Sequence, residues 1–331
     1  MKILATNTIS AVSLTTGSAL SAWPVTNVET VQPRKSMIGD ATTMVMRATL
    51  TGASTAFAMT NWMADSGSYS IDGGGSTNLT SAQTEDAYGF TPWGFKTTWR
   101  KKPLFIEFSG SSTIDLTLTT SVDIKAIPLT EGTNAIASWF QDSGATGRFK
   151  DSGSAIVNTS DHGNIFLGGF VTIGGSTYQI TKIIGDGTTS GAITLSSSVS
   201  SGSITSIKKP VSIGIFRAGN PTDFANPATV EKSFTNYSTQ RFGPNGGYQT
   251  ILRNIGRNYE ISSILSTSQA DDLVGIANAR RGLPVPVQVL DSFTTERDLL
   301  NIYGSLNVPS DGYLDFMGTL RGVTFNLTEA L

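Results

Sequence analysis

The 331-residue chain carries one histidine, His162, and no cysteine. The side chains that most often move protons or attack carbonyls near neutral pH are therefore nearly missing. Histidine is the side chain whose unperturbed pKa suits proton transfer between about pH 5 and 8, so any Ser-His-Asp arrangement would have to use His162. That residue sits in Ser160-Asp161-His162-Gly163-Asn164, a run of turn-forming types, and reads as a solvated turn histidine. Without cysteine there are no disulfides, thiolate nucleophiles, iron–sulfur clusters or cysteine-ligated zinc sites. Stability must come from packing and assembly.

Carboxylates are the remaining acid–base candidates. Glycoside hydrolysis needs two of them about 5–9.5 Å apart. Glu107, Asp115, Asp123 and Glu131 could converge in principle, although nothing in their spacing favours it. Gly185-Asp186-Gly187-Thr188-Thr189 resembles a fragment of a cation loop, but a calcium site takes about six to eight oxygens and the neighbourhood offers one carboxylate. The patterns G-x-x-x-x-G-K-[ST], H-E-x-x-H and G-x-S-x-G do not occur, which removes the usual signatures of nucleotide hydrolysis, zinc proteolysis and esterase chemistry. Gly73-Gly74-Gly75 is not placed to open a helix over a phosphate. The expectation is a protein that is not an enzyme, with no catalytic residues, no cofactor and no metal site.

Aromatic residues are the stronger binding candidates. Between Asn61 and Arg100 the chain holds Trp62, Tyr69, Tyr88, Phe90, Trp93, Phe95 and Trp99 among many glycines, in a stretch too long for an ordinary connection. Amphipathic aromatics are enriched at interfaces and serve as platforms for sugar rings; the same residues also fill cores. About half should be core, and Tyr88, Trp93 and Trp99 are the expected sugar or partner contacts. The interleaved Lys96, Arg100, Lys101 and Lys102 faintly suggest polyanion binding but read more simply as a solvated edge.

The elements that must position these residues are mostly strands. Period-two alternation runs through Met44–Leu50, through Leu104, Ile106 and Phe108, through Ile114, Leu116 and Leu118, and through Val122, Ile124 and Ala126. Residues 1–138 thus read as an N-terminal jelly roll or β-sandwich. Residues 139–212 read as an inserted small β-barrel, with strands at 166–173, 176–184, 191–196 and 203–208 and a two-residue hairpin turn at Gly174-Gly175. Residues 213–331 read as an α+β domain with one clear helix: Thr267 or Ser268 as cap, Asp271 and Asp272 in the first turn, Leu273, Ile276 and Ala277 as apolar face, Arg280 and Arg281 in the last turn, then Gly282 and Pro284 as stop. Its strands are expected at 248–252, 258–264, 285–290, 313–317 and 323–327. The whole is mainly β.

Composition bounds the partners. Ser and Thr number 39 and 44, Gly 35, and charged residues make up only 15%, against about 25% in an ordinary domain. A net charge of −2 gives no general attraction for phosphate backbones, against nucleic-acid binding. No stretch approaches the roughly 18 apolar residues of a membrane-spanning helix. Thr6, Asn7, Thr8, Ser10 and Ser13 interrupt what would be the apolar region of a signal peptide, so the chain is expected to be soluble and made in the cytoplasm. Weak charge and many strand edges suit a surface covered by other subunits, and suit a secreted sugar-binding protein as well.

Three stretches together resemble structural proteins of tailed-bacteriophage virions. Ser21-Ala22-Trp23-Pro24-Val25-Thr26-Asn27-Val28, leading into Pro33-Arg34 and a jelly-roll-like region, is similar to phage proteins that begin with a galactose-binding-like sandwich. Gly163–Leu167, Val171–Ile184, Ala192–Leu195 and Val211–Arg217 resemble the small barrel inserted in many tail proteins. Tyr248–Pro286, a strand pair leading to a capped helix and a Gly-Leu-Pro-x-Pro exit, looks like tail proteins that frame a ring or tip. The resemblance implies a virion component of the tail tip, baseplate or fibre-adaptor type. Its implied partners are itself, as a symmetric ring-like oligomer, and other tail proteins, with host-surface carbohydrate as a further ligand. The alternative is a carbohydrate-binding module that recognises host-surface glycans.

Overall fold

The computed structural model describes residues 1–33, 35–91, 94–124, 136–151, 165–184, 192–236, 239–242, 248–251, 255–290, 300–309, 313–316 and 318–330. They form a mainly β protein with a closed six-stranded barrel and, among the described residues, one α-helix.

The first sheet is built on two long antiparallel strands, Thr43–Thr60 and Leu104–Thr119. Alternation places Met44, Met46, Ala48 and Leu50 with Ile114, Leu116 and Leu118 in one core. Register shifts around Ser54, opposite Ser111, interrupt the pair. Such bulges bend a strand, and both halves then contribute to the same sandwich-like core, where Phe57 stacks on Phe216 at 5.4 Å and meets Tyr69 edge-on at 5.5 Å. The hydroxyl-rich sequence is used at this bend. One carboxylate oxygen of Asp72 accepts from the Ser111 hydroxyl and from both the amide and the hydroxyl of Ser112 and of Thr113. The Thr113 amide leads in holding that carboxyl below its usual range.

The barrel closes in the order Ile136–Ser143, Thr146–Asp151, Ala192–Leu195, Ser176–Ile184, Phe170–Ile173, Gly202–Lys208. Its core holds Trp139, Phe149, Ile180, Ile193 and Ile207. Gly174 and Gly175 both have positive φ, at 59° and 84°, and join Ile173 to Ser176 as the hairpin requires. Gly147 has a different reason: a Cβ there would strike the Trp139 ring and the Phe140 carbonyl.

Two chain crossings weld the barrel to the first sheet. Where Leu104–Thr119 runs on toward the barrel, Asp65 accepts from the Thr120 hydroxyl and from the amides of Ser121 and Val122, and pairs at 2.6 Å with Lys209, just past the barrel's last strand. Burial alone would raise this carboxyl, but Lys209 and the two amides outweigh it and hold it below its usual range. Beside this pair the buried Gln179 donates from Nε2 to the carbonyls of Gly39 and Gly168, and Ile124 already belongs to the barrel core.

The third sheet runs Thr222–Asp223, Lys2–Ile3, Val285–Gln288, Asn301–Asn307, Leu320–Glu329, Ile255–Ser266, Thr229–Asn236, with Tyr313–Phe316 also on Leu320–Glu329. Two segments cross between units. Lys2–Ile3 pairs with Thr222–Asp223 and Val285–Gln288, while Ile215–Gly219 pairs with Thr43–Thr60 in the first sheet. The helix Thr267–Arg280 follows Ile255–Ser266 directly and buries Ala270 and Leu273 against Tyr259, Ile261, Leu265 and Phe325. Its cap is Ser266, one residue earlier than expected, because Gln269 completes a reciprocal capping box with that serine. Asp271 and Asp272 consequently lie beyond the first turn, and Asp271 pairs with Arg321 of the sheet at 2.7 Å. Arg281 takes the left-handed conformation at the C-cap, with Gly282 at φ 81° behind it.

Candidate functional site

The aromatic segment separates into core and ribbon. Trp62 is fully buried and donates Nε1 to the Lys102 carbonyl, while Tyr69 packs on the first core. Tyr88 and Trp99 fall in a separate two-stranded ribbon, Asp86–Thr91 with Gly94–Lys101, in which Tyr88 is paired with Thr97 and Phe90 with Phe95. The pairing of Thr91 with Gly94 makes Pro92-Trp93 the connection; Trp93 lies outside the described residues. The base of the ribbon is anchored. Lys101 donates its amide to the Trp62 carbonyl, Lys102 its amide to the Glu85 carbonyl, and the Lys102 ammonium pairs with Glu85 at 2.8 Å. Lys101 is buried, so two of the four basic residues noted here hold the ribbon to the fold.

Three of the four candidate carboxylates are described, and each is held by a different partner. Asp115 is held bidentately by Arg47, Glu107 binds Lys2, and Asp123 accepts from the Ile207 amide. Glu107 and Asp115 lie on either side of the bend at Ser111, and a different cation engages each. Glu131, His162 and Asp186 lie outside the described residues. Among the described residues no group of three or more His, Cys, Asp or Glu could hold a metal ion, and no helix is long and apolar enough to cross a membrane.

A site that sequence reasoning missed lies where the first and third sheets meet. On the strands Lys2–Ile3, Val285–Gln288 and Asn301–Asn307 the residues Ile3, Val287 and Ile302 point into the helix-covered core. The alternate residues turn toward the first sheet: Lys2, Gln288 and Asn301 form one row by register, Pro286 and Tyr303 the next. Facing them are Ala58, Leu104 and Phe105, and a small cleft of about 10 Å³, room for about one water, remains between, lined also by Met59, Thr60, Pro103 and Ile215. Lys2 bridges the seam to Glu107 at 2.8 Å and reaches Asp223 at 3.4 Å. At the far side the buried Arg217 donates to the carbonyls of Val28, Phe216, Glu29 and Thr30, and Tyr303 donates to the Val31 carbonyl at 3.5 Å.

Within this seam Gln288 is 0% and Asn301 2% exposed, and neither carboxamide has a hydrogen-bond partner among the described residues. Buried amides are nearly always satisfied, so two carboxamides in register without a partner among the described residues set this seam apart from the other. The sequence signal was faint: two polar residues in otherwise apolar strand patterns.

Compared with known proteins, the chain matches no family model, no curated protein and no solved structure.

Proposed function

We propose that the chain is a structural subunit of a bacteriophage tail, at the tip or baseplate or as a fibre adaptor, that assembles into a symmetric oligomer and connects neighbouring virion proteins. Beside the sequence resemblance, the observation that carries this reading is the uncovered half of the third sheet. The first sheet covers its face over Val285–Gln288 and Asn301–Asn307. The same face of Leu320–Glu329 and Ile255–Ser266 is open, with Ile264 53% and Leu320 45% exposed. Their diagonal placement across the register, with Gly322 opposite Ile264, joins them into one apolar spot. The sheet then ends on the eight-residue strand Thr229–Asn236, whose outer edge pairs with no described strand; its exposed Phe234 lies on the opposite face. A long strand edge beside exposed apolar residues is a liability in a free monomer and an asset in an ordered assembly.

The test is a double substitution, Ile264→Asp with Leu320→Asp, read by sedimentation velocity. Both side chains are exposed, so the monomer should keep its fold by circular dichroism while the oligomer dissociates at least tenfold more readily. An oligomer unchanged by the pair of charges would remove this face from the assembly.

A second reading, recognition of host-surface glycans, is favoured by the ribbon, which gathers Tyr88, Phe90, Phe95 and Trp99 on two short strands. Glycan-array binding lost on Trp93→Ala or Trp99→Ala is its expected result; array silence with both wild type and variants removes it.

A further inference from the structure

We propose that two basic, aromatic ribbons of one copy dock on the open face of the third sheet of a second copy, where the carboxylates of Glu231 and Glu260 receive the ribbon cations. This contact rests on the assembly reading and assigns the two surfaces that meet.

The ribbon Asp86–Thr91 with Gly94–Lys101 has a counterpart. Thr239–Phe242 pairs with Tyr248–Ile251, which puts Phe242 opposite Tyr248 and Arg241 opposite Gln249. By chain connection this second ribbon stands on the end of the hairpin that Thr229–Asn236 makes with Ile255–Ser266, whose last pair is Asn236 with Ile255. Leu320–Glu329 joins that hairpin only from Asn258 onward, and each ribbon is a two-stranded sheet of its own. A lone two-stranded hairpin is marginal in water, so such ribbons need a surface to lie on. The strands that carry the two ribbons are neighbours. Asp86–Thr91 touches Ile255–Ser266, and the Lys232 ammonium is pulled below the usual lysine range by burial first, then by Arg257 and by Lys102 at the base of the first ribbon.

Both ribbons carry one sign of charge. No Asp or Glu occurs between Asp86 and Glu107 or between Glu231 and Glu260, and each interval holds four Lys and Arg, leaving 15 of the 23 Lys and Arg against all 25 Asp and Glu for the rest of the chain. Lys101 is buried, Lys102 is taken by Glu85 and Arg257 by Glu329. Lys96, opposite Gly89, and Arg241 are carried on the ribbons themselves. The complementary surface lies on the same chain. Glu231 stands directly opposite Glu260 in register, on the face that carries the exposed Ile264 and Leu320. Both carboxylates are exposed, and neither has an ion pair among the described residues. Like charges directly opposite across two strands are destabilising, and cations brought by a neighbour relieve them. The occupant is therefore a second copy: its face offers acid to the ribbon cations and an apolar spot to the ribbon aromatics, whereas the acidic remainder of the chain repels a phosphate backbone.

The test exchanges charge between the two surfaces of the full chain and reads self-association by sedimentation velocity. The ribbon variant is Lys96→Glu with Arg241→Glu, the face variant Glu231→Lys with Glu260→Lys. Each alone should weaken association by about tenfold or more with an unchanged circular dichroism spectrum. An equimolar mixture should recover it, because every acidic ribbon then meets a basic face and every basic ribbon an acidic one. Wild-type association should also weaken as salt rises from about 0.05 to about 0.5 M, since screening shortens the reach of exposed charges. Two weakened variants that do not recover on mixing overturn the contact, as does a wild-type oligomer indifferent to salt and to both exchanges; the assembly reading survives either result. A wild-type chain that stays monomeric removes that reading and the contact with it. Should the ribbon variant fail to fold, the face variant and the salt series decide alone, and unchanged association in both overturns the contact. Heparin or duplex DNA that binds the wild type and not the ribbon variant, with the oligomer unaltered, assigns the ribbons to a polyanion and overturns it too.

Discussion

Two seams hold this molecule together, and they treat the same side chain in opposite ways. Between barrel and first sheet, Gln179 is buried with its amide donating to two carbonyls, and Asp65 meets Lys209 with three further donors around it. Between first and third sheets, Gln288 and Asn301 are as deeply buried, yet neither amide has a partner among the described residues. Buried polar networks specify one arrangement when every member is satisfied, and they are costly when it is not. The first seam is therefore a rigid weld. The second holds by apolar packing of Leu4, Ala56, Ala58 and Phe105 and by the Lys2–Glu107 bridge.

The sharpest way to break this comparison is Asp65→Ala, which takes the carboxylate away from the Lys209 ammonium and from two backbone amides in the weld. Removing one partner of a buried pair costs about 3–5 kcal/mol, to be read as a lower chemical-denaturation midpoint. A loss below 1 kcal/mol would make the weld no stronger than a surface contact. Next come the glutamines. Gln179→Leu leaves two carbonyls without donors and should destabilise by about 1–3 kcal/mol, whereas Gln288→Leu with Asn301→Leu removes unsatisfied groups only and should be neutral or stabilising. Equal losses in the two variants would erase the distinction between the seams.

The smallest effect is on pH dependence. The Asp65 carboxyl is held below its ordinary value in the fold, so its contribution is complete above the unfolded value near 4 and is lost as pH falls through the lower folded value. Stability should fall on acidification below about pH 4 with a shallower slope in Asp65→Asn, checked by urea unfolding at pH 5, 4 and 3. An identical slope in wild type and variant would show that the pair does not titrate with folding.

Much of the fold was legible because strong periodicity survives tertiary context. The alternation of Leu104, Ile106 and Phe108 and of Ile114, Leu116 and Leu118 reads as two strands and proves to be one, Leu104–Thr119, bent at Ser111 where the Asp72 carboxylate gathers the hydroxyls. The expected strand at 176–184 coincides with Ser176–Ile184, since Gly174-Gly175 fixes its start. The alternation expected through Val122 and Ile124 is not a strand: Val122 is exposed and Ile124 enters the barrel core, because Asp65 holds the chain there by its backbone amides.

The crossing of Lys2–Ile3 into the third sheet has no local signal, because two residues cannot show a period. Thr229–Asn236 lacks a sequence signal for a related reason. An exposed edge strand has no buried face to pattern it, and charged Glu231 and Lys232 sit mid-strand. The seam residues Gln288 and Asn301 escaped because sequence shows that a polar residue interrupts an apolar run, not that its amide ends without a partner. Tyr88 and Trp99 were singled out by composition, and their backbone places them on one ribbon.

Electron microscopy of the purified chain bears most directly on the proposal that this is a tail subunit. The expected image is a closed, symmetric oligomer whose subunits meet through the open half of the third sheet, at Ile264, Leu320 and the edge strand Thr229–Asn236. A chain that stays a compact monomer at high concentration, and that occurs in no virion fraction, would contradict it.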